Sequence, residues 1–417
     1  MSEGTRRLPL DGVRVLELGS YIAAPTTGRI LADFGAEVIK VERATGDELR
    51  NWRLYAGDTS MLFHTVNRNK KSIVLDLRSD EGRADVVALA AKCDVVVENF
   101  RPGTLEKWGL GPEELSAANP DLIFVRISAF GQTGPYADRP GFAAVAEAYG
   151  GFRELIGEPD RPPVRTGVSI CDSIAGLYGA FGAVMSLYEQ LRRRDAHDGP
   201  LPLEERIVDV ALNEAIFSMM ESLVPDLGAY GVKRERTGGR VQGIAPSNAY
   251  LCGDGNSVVI SGNADAIFDR YMRAIGRPDL ADDPRLADND GRWEHRDEID
   301  DAIGAWTGVR DRDEVLDVME AAQVPAGPIY TAADIVDDPQ YKARNMIQEF
   351  DVDAGGDGPS RVAFPGIVPV IGGQSLDIRS LGPELGEHTD QVRAELLSDP
   401  LPELVDPRPE LVEGDRS

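Results

Sequence analysis

Over its first 128 residues the chain alternates short apolar runs with stretches of helical spacing, and this alternation limits its possible folds more than any other feature. VRVLEL (13–18) reads as a buried strand, followed by GSYIAAP as a loop. Thr26 or Thr27 is placed to cap a helix running to Phe34, and Gly35 to end it. AEVIKVE (36–42) is the next strand. SIVLDL, CDVVVEN and DLIFVRIS then read as strands separated by the helices SDEGRADVVALAAK and GPEELSAANP. Strands joined through helices cannot pair as hairpins, so they form a parallel sheet with helices on both faces. The expected class is α/β, a Rossmann-like parallel sheet whose ligands bind beyond the carboxyl ends of its strands.

At 417 residues the chain exceeds what one small core serves, so a second domain is expected. A helix is expected from Asp172 to about Arg193, then an exposed turn in RRRDAHDGPLPLEER, then an apolar helix over 209–223. YLCGDGNSVVI reads as a hairpin around Gly-Asp-Gly, and AIFDRYMRAIG and RDEVLDVMEAAQ as amphipathic helices. These place a small α+β domain at 225–325, between a large domain over 1–224 and a return to it over 326–417. The tail after Ser398, rich in Pro, Glu and Asp, is expected to be loosely attached.

The net charge of −27 argues against nucleic acid or an anionic membrane as partner. Residues 40–78 run the other way, with eight basic side chains against five acidic ones, a basic island suited to a bound polyanion or merely to solvent. Cys93, Cys171 and Cys252 stand at unrelated spacings, as in a reducing cytoplasm, and four histidines without HxxxH spacing offer no metal site. MSEGTRRLPLDG leads straight into the first strand without an apolar leader, which fits a cytoplasmic enzyme. The first strand–loop–helix unit ends in Glu42 but lacks GxGxxG, which counts against a nicotinamide dehydrogenase.

One carboxylate, Asp172, stands inside TGVSICDSIAGLYGAFG (166–182), which is otherwise small or apolar. Taken alone it is most simply an N-cap; the other reading is a nucleophile among backbone amides, with Gly167, Ser169, Ser173 and Gly176 leaving room for an oxyanion.

Taken with LDGVRVLELGSYIAAP, LADFGAEVIKVE, NRNKKSIVLDL, DVVVENFRPG and FGQTGPY, in that order, the segment TGVSICDSIAG strongly resembles the family III CoA-transferases, with GPELGEHTDQV a further family-like stretch. That group includes formyl-CoA and carnitine CoA-transferases and, as a side branch, 2-methylacyl-CoA racemases. The resemblance implies an interlocked homodimer, acyl-CoA and small carboxylic acids as substrates, and no tightly bound cofactor. It makes Asp172 the nucleophile and gives CoA contacts to Arg43, Leu75, Arg78, Asn99, Phe100 and Arg101, with Lys107 and Arg139 at or near further basic contacts. The loop at Ile22–Ala23, polar in some members, is apolar in this chain.

Other departures narrow the chemistry. Racemisation needs groups on both faces of the α-carbon, and the segment where racemases carry a His–Asp pair has Phe142 and Ala143. Glu147 either substitutes for a missing carboxylate or faces solvent. The segment 237–250, in place of a glycine-rich flap, keeps only Gly238, Gly239 and Gly243. The form RPGFAAVAEAYGG followed by PDRPPVRTGVS looks most like members that exchange CoA between succinate and other dicarboxylic acids, with Arg153, Arg161 or Arg165 to pair the second carboxylate. The expected function is therefore CoA transfer between small dicarboxylic acids. A racemase and a non-catalytic acyl-CoA-binding protein are the alternatives.

Overall fold

The computed structural model describes residues 7–52, 54–354 and 358–398, which fall into two compact units. The larger is drawn from Met1–Gly150, Val168–Met219 and Ala343–Ser417, the smaller from Gly151–Gly167 and Met220–Lys342.

In the larger unit, β1 (Arg14–Glu17), β2 (Glu37–Glu42), β3 (Lys70–Val74), β4 (Val95–Glu98), β5 (Ile123–Ser128) and β6 (Ile207–Ala211) form one sheet in the order β3-β2-β1-β4-β5-β6. Every pairing is parallel. The chain winds outward from β1 to one edge and from β4 to the other, so the strand order reverses between β1 and β4, where such sheets open a crevice. Helices α1 (Ala23–Asp33), α2 (Asp80–Ala90), α3 (Pro112–Ala118), α4 (Ala143–Tyr149), α5 (Ile170–Ala196) and α6 (Leu212–Phe217) accompany it. One face of the sheet buries Leu16, Ile39, Val96 and Phe124 beneath Leu89 and Leu115. The other face carries α5, whose Gly179 and Gly182 leave no space for a side chain. A Cβ on Gly179 would stand 2.5 Å from Thr27 Oγ1, and one on Gly182 2.4 Å from Val208 Cγ1.

Three local expectations are corrected. The apolar stretch 209–223 is not one helix: its first residues belong to β6, and α6 begins at once at Leu212. The junction between Ala211 and Leu212 holds no Gly or Pro to signal a turn. Helix α1 takes Ile22 as its N-cap without a side-chain cap, and Thr26 and Thr27 lie inside its first turns, buried. Thr27 Oγ1 instead donates to Gly176 O at 2.9 Å, tying α1 to α5. Helix α5 starts at Ile170 with Ser169 as N-cap, so Asp172 is its third residue and not its cap.

The smaller unit is α+β. Strands β7 (Ser247–Leu251), β8 (Ser257–Ser261) and β9 (Ala326–Pro328) form an antiparallel sheet in the order β9-β8-β7. Helices α7 (Asp265–Ala274), α8 (Arg296–Thr307) and α9 (Arg312–Ala321) close a core of Val258, Ile260, Phe268, Tyr271, Ile299 and Met319 against it. The 225–325 segment lies within this unit, which also takes the short stretch 151–167, with Arg153, Arg161 and Arg165, and extends to Lys342.

From Ala343 the chain returns to the larger unit as the hairpin β10 (Ile347–Val352) and β11 (Ser360–Pro365), then α10 (Thr389–Leu396). His388 is structural: its N–H donates to Ser72 O at 2.9 Å, and its ring Nδ1 accepts from Ser72 N at 3.3 Å. The acidic tail expected after Ser398 lies outside the described residues.

Candidate active site

Asp172 sits at the carboxyl edge of the sheet. Its neighbour Cys171 donates its thiol to Leu212 O at 3.2 Å, and Leu212 directly follows β6. Asp172 is partly buried in the first turn of α5, where the helix dipole favours an ionised carboxylate. Cys171 is fully buried. Its thiol is pushed up to about 12 by that burial first, then by the charges of Asp172 and Glu147. The same thiol therefore feels both carboxylates. Glu147, on α4, is only 1% exposed, so it does not face solvent, and α4 packs on α5 and α6. The small residues after Asp172 serve close packing: a Cβ on Gly176 would lie 2.6 Å from Thr26 Cβ and 2.7 Å from Ala23 O.

Half of the basic island turns inward, so for Lys40, Arg50, Arg68 and Lys70 neither a polyanion nor solvent is the partner. Lys40 and Lys70, both fully buried, share the carboxylate of Glu17 at 3.2 and 2.8 Å. Lys40 also pairs with Asp47 at 2.8 Å, Arg50 with Glu42 at 2.7 Å and Arg68 with Asp33 at 2.7 Å. Glu17, Lys40, Glu42 and Lys70 sit in strand runs, where an isolated Lys or Glu among apolar neighbours signals an internal pair. Bonds from Lys40, Lys70 and Asp47 converge on the β1–α1 loop and the first turn of α1. Lys40 Nζ donates to Gly19 O at 2.9 Å, Lys70 Nζ to Pro25 O at 2.8 Å, and Asp47 Oδ1 accepts from Tyr21 N at 3.1 Å.

The predicted CoA contacts divide into two sets. Arg43, Arg78, Arg101, Lys107 and Arg139 are exposed cations. Arg43 follows β2 and pairs with Glu48 at 2.6 Å; Arg78 lies beyond β3 and Arg101 beyond β4. Lys107 ends the short helix Thr104–Lys107. Arg139 stacks 3.8 Å above the Tyr136 ring, beside an edge-on cluster of Phe130, Tyr136 and Tyr149. The other three are engaged internally. Leu75 is 4% exposed, with its side chain closed off in the main core. Phe100 meets Trp108 edge to face at 5.3 Å, and Glu98 Oε2 accepts its N–H at 2.7 Å. Asn99 spends its amide on Ser20, accepting from Ser20 N at 2.9 Å and donating to Ser20 O at 2.8 Å. Phe142, where racemases carry their second base, is an exposed ring edge-on to Tyr21 at 6.1 Å.

A Rossmann strand order, a carboxylate at its carboxyl edge and a rim of exposed cations suit a phosphate-bearing acyl carrier. The sequence profile of CoA-transferase family III matches residues 10–389. The chain belongs to CoA-transferase family III. Among relatives within CoA-transferase family III, it is 45% identical to the succinyl-CoA–D-citramalate CoA-transferase of Chloroflexus aurantiacus, over 93% of this chain and 94% of that one. It is 39% identical to the beta subunit of the succinyl-CoA–L-malate CoA-transferase of the same organism, over 95% and 96%. The succinate–glutarate CoA-transferase of Agrobacterium fabrum is 35% identical over 94% and 96%. Among solved structures, a CAIB/BAIF family protein from Brucella suis superposes with a TM-score of 0.81 at 36% identity, covering 94% of this chain and all of the other. Like its relatives, this family III chain is a CoA-transferase.

Proposed function

We propose that this enzyme carries CoA from succinyl-CoA to a small dicarboxylic acceptor, with Asp172 as the covalent nucleophile. The observation that carries the reading is the Asp172 carboxylate in the first turn of α5, at the sheet edge where such folds hold ligands, in a chain 45% identical to a succinyl-CoA–D-citramalate CoA-transferase. A transferase that uses no ATP must conserve the thioester's free energy in a covalent form, and a carboxylate does this.

Asp172 Oδ attacks the thioester carbonyl of succinyl-CoA, the C–S bond breaks, and CoA leaves as its thiolate, giving a succinyl–aspartyl anhydride. The thiolate attacks the aspartyl carbonyl, expelling succinate and leaving an aspartyl-CoA thioester. The acceptor carboxylate attacks that thioester and releases the thiolate, which then attacks the acceptor carbonyl of the second anhydride. The acceptor leaves as its CoA thioester and Asp172 returns as a carboxylate, with no net proton change. Arg43, Arg78, Arg101, Lys107 and Arg139 would meet the CoA phosphates, Leu75 and Asn99 contributing through backbone and Phe100 through its ring. Apolar side chains at Phe142 and Ala143 weigh against racemisation.

A homodimer belongs to the same reading. Helix α5 leaves Leu177, Phe181, Val184, Met185, Tyr188 and Leu191 exposed along one stripe, while its glycine face packs on α1 and the sheet. Over 18 residues α5 is apolar enough to cross a bilayer, but that packed face ties it to the unit. A second copy supports the stripe better than lipid does. Three buried free thiols support a reducing compartment such as the cytoplasm.

The test is mass spectrometry of the enzyme incubated with succinyl-CoA and quenched with hydroxylamine. The reading predicts hydroxamate on the peptide containing Asp172, and transfer at least a thousandfold weaker in Asp172→Asn, on the order of what removing a covalent nucleophile costs. Turnover without modification of that peptide would overturn it.

A further inference from the structure

The β1–α1 loop and the first turn of α1, Gly19 to Pro25, lie between the carboxyl ends of β2 and β4, at the point where the strand order reverses. Its backbone is tied from both sides. Lys40 on β2 and Lys70 on β3 donate to Gly19 O and Pro25 O. Asp47, in the turn after β2, takes the Tyr21 N–H, and Asn99, just past β4, closes both backbone groups of Ser20. Four side chains from separate parts of the chain thus hold four backbone atoms of one short loop and a fifth in the helix turn that follows it. Tyr21 is held at φ 65°, a left-handed conformation that persists in a bulky residue only where the surroundings over-determine it. Its ring meets Trp52 at 5.6 Å and Phe142 at 6.1 Å.

The loop runs directly into α1, and α1 registers α5 by backbone contact. Ala23 O and Thr26 abut Gly176, and Thr27 Oγ1 bonds Gly176 O, one helical turn beyond Asp172. A shift of the loop is therefore a shift of the turn that carries the carboxylate. Stability alone does not call for this arrangement, because buried ion pairs of this kind can be replaced by well-packed apolar side chains at little or no cost. What the charges add is direction: each fixes the position of one backbone atom.

We propose that the β1–α1 loop is a fixed part of the reaction centre and that Lys40, Asp47, Lys70 and Asn99 are its positioning residues, acting on the loop backbone and not on CoA. The proposal rests on Asp172 as nucleophile. It gives Asn99 a role through Ser20, in place of a side-chain contact with substrate.

The experiment uses full-length Asp47→Ala, Asp47→Asn and Asn99→Ala, with wild type alongside. A reacting atom displaced by about 1 Å loses roughly a hundredfold in rate, so Asp47→Ala and Asn99→Ala should lower kcat about 10- to 100-fold with KM for succinyl-CoA within about threefold. Single-turnover loading of Asp172 should slow by the same factor while near-ultraviolet circular dichroism stays that of wild type. Asp47→Asn, which still accepts from Tyr21 N but no longer supplies the charge opposite Lys40, should recover part of that loss and stay clearly above Asp47→Ala. If Asp47→Ala fails to fold, Asn99→Ala decides alone. Unchanged kcat, or a raised KM with kcat intact, overturns the proposal and returns these residues to packing or to CoA contact. A wild-type enzyme that turns over without loading Asp172 would overturn the nucleophile reading instead, which keeps the two failures apart.

Discussion

Glu17 accepts from two ammonium groups inside a sheet, and the pair do not titrate alike. Burial first, with Lys40 and Arg29 adding to it and Glu17 opposing, brings Lys70 down to about 8. Lys40 is held above its ordinary value by Asp47, Glu17 and Glu42 against its burial. The ordinary lysine value is about 10.4, so between pH 8 and 10.4 the unfolded chain keeps a proton that folded Lys70 has lost. Lys70 thus makes stability rise with pH in that window, and Lys40 withdraws stability only above it. The buried thiols work the other way, so the informative quantity is the difference between wild type and Lys70→Met. Urea unfolding at pH 7.5 and 9.5 should show wild type gaining on the variant; a constant difference would contradict the Lys70 shift. Cys171 gives a second prediction. Only a thiolate alkylates, and this thiol is buried and pushed up to about 12, so native enzyme at pH 8 should keep its activity through iodoacetamide treatment that modifies every thiol after denaturation.

At the scale of elements, α5 does two jobs with two faces, and its glycines belong to packing. Gly176→Ala forces a methyl group against Thr26 and the carbonyl of Ala23, so it should cost about 1–3 kcal/mol of stability by overpacking. Activity should fall with it, because the turn carrying Asp172 must move; denaturant titration and steady-state rates check both. This face also shows what sequence could convey. Five strands of the sheet and the helix bearing Asp172 were legible because apolar runs and helical spacing alternate with clear turn residues. β6 was not, since IVDVA passes into α6 with no Gly or Pro between them. The exposed cations at strand ends were legible by position. The internal direction of Lys40, Arg50, Arg68 and Lys70 was not, because a charge count cannot tell an outward lysine from one paired across strands. Asn99 was found by its place in ENFRPG, but its partner, 79 residues away, depends on which strands are neighbours.

For the molecule as a whole, the exposed stripe of α5 bears on assembly. Phe181 is 57% and Tyr188 64% exposed, a costly arrangement for a monomer. In the proposed homodimer, Phe181→Glu with Tyr188→Glu should convert a particle of about twice 45.2 kDa into one of that mass by light scattering after size-exclusion chromatography. A wild type already eluting at the single-chain mass would refute the dimer. The path of the chain carries a consequence of its own. The larger unit is assembled from three separated stretches, and Val392 and Leu396, nearly the last described residues, lie in one core with Leu16. A ribosome must therefore release the chain through Leu396 before that core can close, so the amino-terminal strands wait unsealed while the residues between them and Val392 are made.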